Sequence, residues 1–295
     1  MRVLVTGATG FVGGHLLPTL AAAGHDLTVL TRNAERYDGP PARVVEGDLL
    51  EAGTFEDAFD GCEAAYYLVH SMDAADFVAR DRRAARNFTR AASAAECSRV
   101  IYLGGLGRES DALSPHLRSR HEVERLLGAG EYDLTTLRAA VIVGAGGASF
   151  EMVRQFVTHL PRVFVLPLPT GVRTNCQPIA IEDVVGYLGA VLDTPETRGR
   201  SFDIGGPAVL TYADFLQRVA RVHGRLLVVV GVPWLSEHLS ARWLARLTDV
   251  PETVVAPLVE GLDNTVVVRE TGIDEFATVE HTPLDTAIER AIANE

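Results

Sequence analysis

The chain contains no lysine: its 27 basic side chains, in 295 residues, are all arginine. An arginine stays charged at any physiological pH, so it binds anions but does not relay protons. Basic charge is also in deficit against 39 acidic side chains, leaving a net charge of −12. With no basic stripe to neutralise a phosphate backbone, nucleic acid is excluded as an expected partner. Cysteine is scarce as well. Cys62, Cys97 and Cys176 are widely spaced and form no C-x-x-C, which excludes a disulfide framework or zinc knuckle and suits free thiols in a reducing compartment. The nine histidines include no H-E-x-x-H, and no G-x-S-x-G occurs, so neither metal catalysis nor an α/β-hydrolase nucleophile is expected. The apolar run LLVVVGVPWL at 226–235 is short of the roughly 20 residues a bilayer core requires. The first residues carry only Arg2 before a short apolar run that ends in glycines, a first strand and not a signal peptide. These absences leave a cytoplasmic protein acting on a small molecule as the expectation.

What is present is an alternation of short branched-apolar runs with helical patterns. RVLVT (2–6), DLTVLT (26–31), ARVVEG (42–47), EAAYYLV (63–69), SRVIYLG (98–104) and DLTTLRAAVIV (133–143) are expected strands. Helices between them predict a Rossmann-type, doubly wound parallel sheet of the α/β class. Gly24 is expected to end the first helix, and Ser114-Pro115 to start another as N-cap and first helical residue. Beyond residue 145 glycine and proline punctuation increases, with helices expected near 182–193, 211–222, 234–247 and 251–261 and at the C-terminus. The expected division is a dinucleotide-binding domain over 1–145, its sheet completed by segments up to about 210, and a smaller α+β substrate-side subdomain over 146–295.

The stretch TGATGFVGG sits between the first strand and the first helix, with Gly7, Gly10 and Gly13 in G-x-x-G-x-x-G spacing. Such a turn brings backbone N–H groups and a helix N-terminus against a pyrophosphate. NAD-preferring folds carry an acid at the end of the second strand. Here that position is Arg32, which would pair with a 2′-phosphate, so NADP(H) is expected in preference to NAD(H). Asp48, in EGDL, is placed to hydrogen-bond adenine.

These residues resemble the short-chain dehydrogenase/reductase superfamily in its extended and atypical branches, and specifically its NmrA-like NAD(P)H-binding proteins. TGATGFVGG is similar to the family's glycine motif, GDL to its adenine-contact motif, and YYLVHSM and IYLGGLG to its cofactor-flanking strand ends. The resemblance implies cofactor contacts from Gly7, Thr9, Gly10, Phe11, Val12, Gly13, Arg32, Asp48, Leu49, Val69, His70, Gly104 and Arg120. LRAAVIVGAG, QPIAIEDVV and FDIGGP resemble later family segments, so the likeness runs from residue 1 to about 210. The family's catalytic set is a serine and a Tyr-x-x-x-Lys, in which tyrosine is the acid or base and lysine lowers its pKa. In this chain the serine position falls on Gly104 or Gly105, the tyrosine position on His116 and the lysine position on Arg120. The dyad is therefore absent. His116 and Arg120 remain as the candidate catalytic pair, with Arg120 confined to binding.

Ser71, Gln177 and Glu151 are candidates for touching a substrate, and Leu235, Leu239, Trp243, Leu244 and Leu247 form an apolar stripe. The expected activity is hydride transfer to or from a small organic molecule, with a quinone or conjugated carbonyl favoured because a delocalised acceptor needs less help from a protein acid. Two alternatives stand beside it: a non-catalytic NADP(H)-sensing regulator or assembly factor, and a nucleotide-sugar epimerase or dehydratase.

Overall fold

A computed structural model describes residues 1–71, 76–107, 113–235, 261–269 and 272–293. The first half runs β1 (Arg2–Thr6), α1 (Phe11–Ala22), β2 (Asp26–Thr31), β3 (Arg43–Glu46), β4 (Ala64–Tyr67), α2 (Phe77–Ala94), β5 (Arg99–Gly105), α3 (Pro115–Leu127) and β6 (Asp133–Ala139). It continues through β7 (Ile142–Val143), α4 (Ala148–His159), β8 (Val163–Pro169), β9 (Asn175–Cys176), β10 (Ile179–Ala180), α5 (Ile181–Asp193) and β11 (Ser201–Ile204). The last elements are β12 (Leu210–Thr211), α6 (Tyr212–Val222), β13 (Leu226–Val232) and the terminal helix α7 (Leu284–Ala293). The helices expected near 234–247 and 251–261, and the stripe residues Leu239, Trp243, Leu244 and Leu247, lie outside the described residues.

Seven strands form one parallel sheet in the order β11-β6-β5-β4-β1-β2-β3. Alternate residues along each strand feed opposite faces. Val3, Val5, Tyr66, Ile101 and Leu137 join the layer under α1 and α5, while Leu4, Ala65, Tyr67, Val100 and Tyr102 join the layer under α2 and α3. A third apolar cluster gathers α4, α6, α7, β8 and β13. The chain order puts every sheet strand's carboxyl end on one edge, where ligands bind in doubly wound folds.

Helix ends follow the local chemistry. Gly24, at φ +83°, terminates α1; its N–H bonds to the Ala21 carbonyl at 3.0 Å and that of His25 to the Leu20 carbonyl at 3.2 Å, a Schellman closure. Ser114 caps α3, its hydroxyl accepting from the Leu117 N–H at 3.4 Å, with Pro115 as the first helical residue.

One expected element divides. The run 133–143 is two strands: β6 stays in the main sheet, whereas β7 pairs with β10. The break falls at Ala140-Val141, where the Val141 carbonyl accepts from the Ile179 N–H at 3.0 Å and draws the chain out of the sheet. The apolar run 226–235 contributes β13, which lies parallel to β8. No helix among the described residues is long and apolar enough to cross a membrane.

The three cysteines are free and buried. Burial pushes the Cys62 and Cys176 thiols up to about 12, and thiols of that kind are poor nucleophiles. A thiol reagent is expected to leave the native protein unlabelled while reacting with all three cysteines in urea. Rapid labelling of the native protein would show that these core positions are open.

Candidate functional site

The turn after β1 is built around backbone proximity. Gly7 sits at φ +72°, and a Cβ there would lie 2.8 Å from the Leu68 carbonyl oxygen. A Cβ on Gly13 would meet the Gly7 oxygen at 2.3 Å and the Ala8 Cα at 2.9 Å, so α1 packs on β1 only because that atom is missing. Gly10 is the N-cap of α1 and offers no side-chain cap. The first helical bond runs from the Gly14 N–H to the Gly10 carbonyl, at 2.8 Å. The N–H groups of Phe11, Val12 and Gly13 are thus the helix's orphan donors, a ready anion site. Thr9 beside them is exposed, Phe11 and Val12 are half-buried, and the Phe11 ring lies against Gly144 and Gly147.

Beyond β2, Arg32 is exposed and its side chain has no hydrogen bond or ion pair among the described residues. Neighbouring polar groups are engaged: the Asn33 carboxamide accepts from the Glu35 N–H at 2.9 Å, and a Glu46 carboxylate oxygen from the Ala34 N–H at 3.0 Å. Asp48 is half-buried, and one of its oxygens accepts from the Leu50 N–H at 2.9 Å. Leu49 packs into the core, its carbonyl accepting from the Asn87 amide at 2.8 Å. Val69 packs against the same cluster. Cleared backbone and outward donors fit the pyrophosphate of a dinucleotide.

After β4 the chain reaches His70 and Ser71, which converge on a carboxylate from α2. His70 Nδ1 lies 3.0 Å from Asp81 Oδ2, the Ser71 N–H donates to Asp81 Oδ1 at 2.9 Å, and the Ser119 hydroxyl donates to Oδ2 at 3.1 Å. Asp81 is 3 % exposed. Burial works to raise its pKa, but hydrogen bonding and charge from His70, with the bonds from Ser71, outweigh it and hold the carboxyl below its usual range. On the other side of the ring, His70 Nε2 stands 3.1 Å from His116 Nδ1. Burial, then the neighbouring His70 and Arg120, lower His116 to about 3, so this imidazole is neutral.

Arg120 turns inward. Its guanidinium donates to the Leu103 carbonyl at the end of β5 and lies over the Tyr102 ring, 5.2 Å from the centroid. Gly104 is the following residue of that strand; a Cβ on it would come within 3.1 Å of the Tyr102 ring. Gln177 has both ends of its amide occupied, donating to the Gly206 carbonyl at 2.8 Å and accepting from the Val268 N–H at 3.0 Å. It ties loops together. Glu151, in the first turn of α4, pairs with Arg154 at 2.5 Å and accepts from Gln155 at 2.7 Å. The structure therefore joins His70, Ser71 and His116, with Arg120 one turn along α3, while Gln177 and Glu151 are engaged in other contacts.

Asp81 was not among the residues expected from sequence. The signal for Asp81 was present: it lies on the same stripe of α2 as the buried Ala84, Ala85, Phe88, Ala91 and Ala92. An acid on the apolar face of an amphipathic helix requires a partner.

A family model described as NAD(P)H-binding matches residues 7–155, half of the chain. An uncharacterized protein of Mycobacterium tuberculosis is 25% identical over 254 residues, covering 85% of this chain but 26% of its own length, so the chain spans about a quarter of that relative. The (4-alkanoyl-5-oxo-2,5-dihydrofuran-3-yl)methyl phosphate reductase of Streptomyces griseus is 26% identical over 234 residues, 76% of this chain and 75% of that protein. Among solved structures, the triphenylmethane reductase of Citrobacter complexed with NADP(H) shares the fold at a TM-score of 0.78, 18% identity and coverage of 98% and 99% of the two chains. The glycine turn opens the matched region and β2–β6 fall within it: the chain belongs to the NAD(P)H-binding family.

Proposed function

We propose that this chain is an NADP(H)-dependent reductase that delivers hydride to a small conjugated acceptor, such as an enone or quinone. The observation that carries the reading is the combination of orphan donors at the start of α1 with Arg32 just beyond β2, whose side chain has no partner among the described residues. Gly7, Gly10 and Gly13, with the N–H groups of Phe11 and Val12, would hold the pyrophosphate. Arg32 would hold the 2′-phosphate and Asp48 the adenine, with Leu49, Val69, His70 and Gly104 bordering the cofactor. The bound nicotinamide supplies the hydride. Where the superfamily has its tyrosine, His116 would supply the proton that follows.

The substrate class is favoured by chemistry. With no tyrosine and lysine to polarise a simple ketone, an acceptor that spreads the arriving negative charge over a conjugated system has the lower barrier. The Streptomyces griseus reductase compared above carries a name that denotes a conjugated molecule, an alkanoyl dihydrofuranone. Arg120, committed to Leu103 and Tyr102, would act by fixing the end of β5.

Calorimetric titration with NADPH, NADP, NADH and NAD tests the reading. NADP(H) is expected to bind more tightly than NAD(H), and Arg32→Ala to weaken NADPH by about tenfold to a hundredfold while leaving NADH unchanged, as expected when a charge-assisted contact is removed. Absence of binding by any dinucleotide would overturn the proposal. Tight binding without NADPH oxidation across a panel of enones and quinones would replace it with the regulator reading.

A further inference from the structure

We infer that Asp81, His70 and His116 form a proton relay that substitutes for the missing tyrosine-lysine pair, with His116 as its terminal donor. The inference rests on the reductase reading and assigns a further role to His70 and a role to Asp81, which lies outside the cofactor cradle: Asp81 and His70 charge and position the donor.

Hydrogen counting carries the case. The Asp81 carboxylate only accepts, so the His70 nitrogen 3.0 Å away must bear a hydrogen. A single hydrogen occupies the 3.1 Å contact between His70 Nε2 and His116 Nδ1, which leaves two arrangements. With His70 neutral, His116 Nδ1–H donates to it and His116 Nε2 is bare. With His70 doubly protonated, its Nε2–H donates to His116 Nδ1, and His116 carries its hydrogen on Nε2. One added proton therefore converts the outer nitrogen from acceptor to donor without charging His116.

The surroundings place the charge on His70. That ring touches the Asp81 carboxylate, which Ser71 and Ser119 also hold. His116 instead is half-buried and faces the Arg120 guanidinium, which opposes a positive ring. Among the described residues, the phenols of Tyr67 on β4 and Tyr102 on β5 also lie near the chain and are kept neutral by burial.

The step balances. Hydride addition leaves an anion on the acceptor, which takes the hydrogen from His116 Nε2. The His70 Nε2 hydrogen crosses to His116 Nδ1, and His70 becomes neutral. Electrons travel only with the hydride, and solvent returns one proton to the relay.

The test uses nitrogen-15 spectra of the histidine rings in the ligand-free protein and in Asp81→Asn. In the wild type, one proton is expected to be taken up between about pH 5 and 8. It should appear as charge on His70 and as a switch of His116 from Nδ1–H to Nε2–H. In Asp81→Asn this uptake moves below that range. In assays with NADPH and an enone, Asp81→Asn and His70→Gln are expected to lower kcat about a hundredfold, the scale of general acid catalysis, and to displace the pH profile, with NADPH affinity unchanged in Asp81→Asn. Independent titration of the two rings, unaffected by Asp81→Asn, would overturn the relay. So would NADPH binding with an unchanged kcat and pH profile in the variants. Failure to bind any dinucleotide would remove the reductase reading, while the ring spectra would still decide the proton chain.

Discussion

Gly13→Ala is expected to destabilise the protein by about 2–4 kcal/mol, in the upper range for overpacking a close contact, and to weaken NADPH binding by more than about a hundredfold. The methyl has nowhere to go: the atoms it would strike are the Gly7 carbonyl at 2.3 Å and the Ala8 Cα at 2.9 Å, both backbone. To admit it, α1 must move off β1, carrying the outward N–H groups of Phe11 and Val12 with it. Gly14→Ala is the control. A Cβ on Gly14 meets nothing within 4 Å, and alanine in a helix interior is favoured over glycine by about 0.5–1 kcal/mol. Urea unfolding should therefore separate two adjacent glycines by sign. Equal midpoints for the two variants would show that the close approach of α1 to β1 is not required.

Arg99→Ala is expected to cost about 3–5 kcal/mol, combining a large cavity with orphaned acceptors. Against total stabilities of about 5–15 kcal/mol this approaches loss of the fold. Arg99 opens β5 and is 1 % exposed. Its guanidinium donates to the Leu192 carbonyl at 2.9 Å, to the Thr197 hydroxyl at 2.5 Å, to the Thr135 hydroxyl at 3.2 Å and to the Thr194 carbonyl at 3.3 Å. The side chain thereby fastens the end of α5 and the turn after it to the sheet. Arg99→Met separates the two contributions, because methionine refills part of the volume but leaves the carbonyls and hydroxyls without donors. If Arg99→Met restores wild-type stability, the loss in Arg99→Ala is packing alone.

Features written in neighbouring residues were legible in the sequence. The glycine turn, the Ser114 cap and the Gly24 stop each depend on a few consecutive side chains, and each lies where the pattern put it. Sheet membership was not local. An apolar run signals burial without saying against which strand, and 133–143 divides because Val141 finds a partner at Ile179, 38 positions away in the numbering. The relay is less local still: His70 and Asp81 are 11 residues apart, and His116 is 46 from His70. Only the parallel sheet brings the end of β4 beside the first turn of α3. His70 and His116 were legible as separate candidates. Their direct contact, and the buried acid behind His70, depend on the packing of α2 against α3, which no spacing in the chain encodes.

The seventh strand gives the fold a temporal order. β11 pairs with β6 from Ser201↔Thr136 to Ile204↔Ala139, so the outer edge of the sheet is completed by residues more than 60 positions later. Until they emerge from the ribosome, β6 presents an open row of backbone groups, and Arg99 waits for its acceptors at 192, 194 and 197. A fragment ending at residue 145 would carry that exposed edge permanently, a template for aggregation. Both halves of the chain are then expected to melt in one cooperative transition, and synthesis of the nucleotide-binding half to be followed by a delay before it becomes protease-resistant.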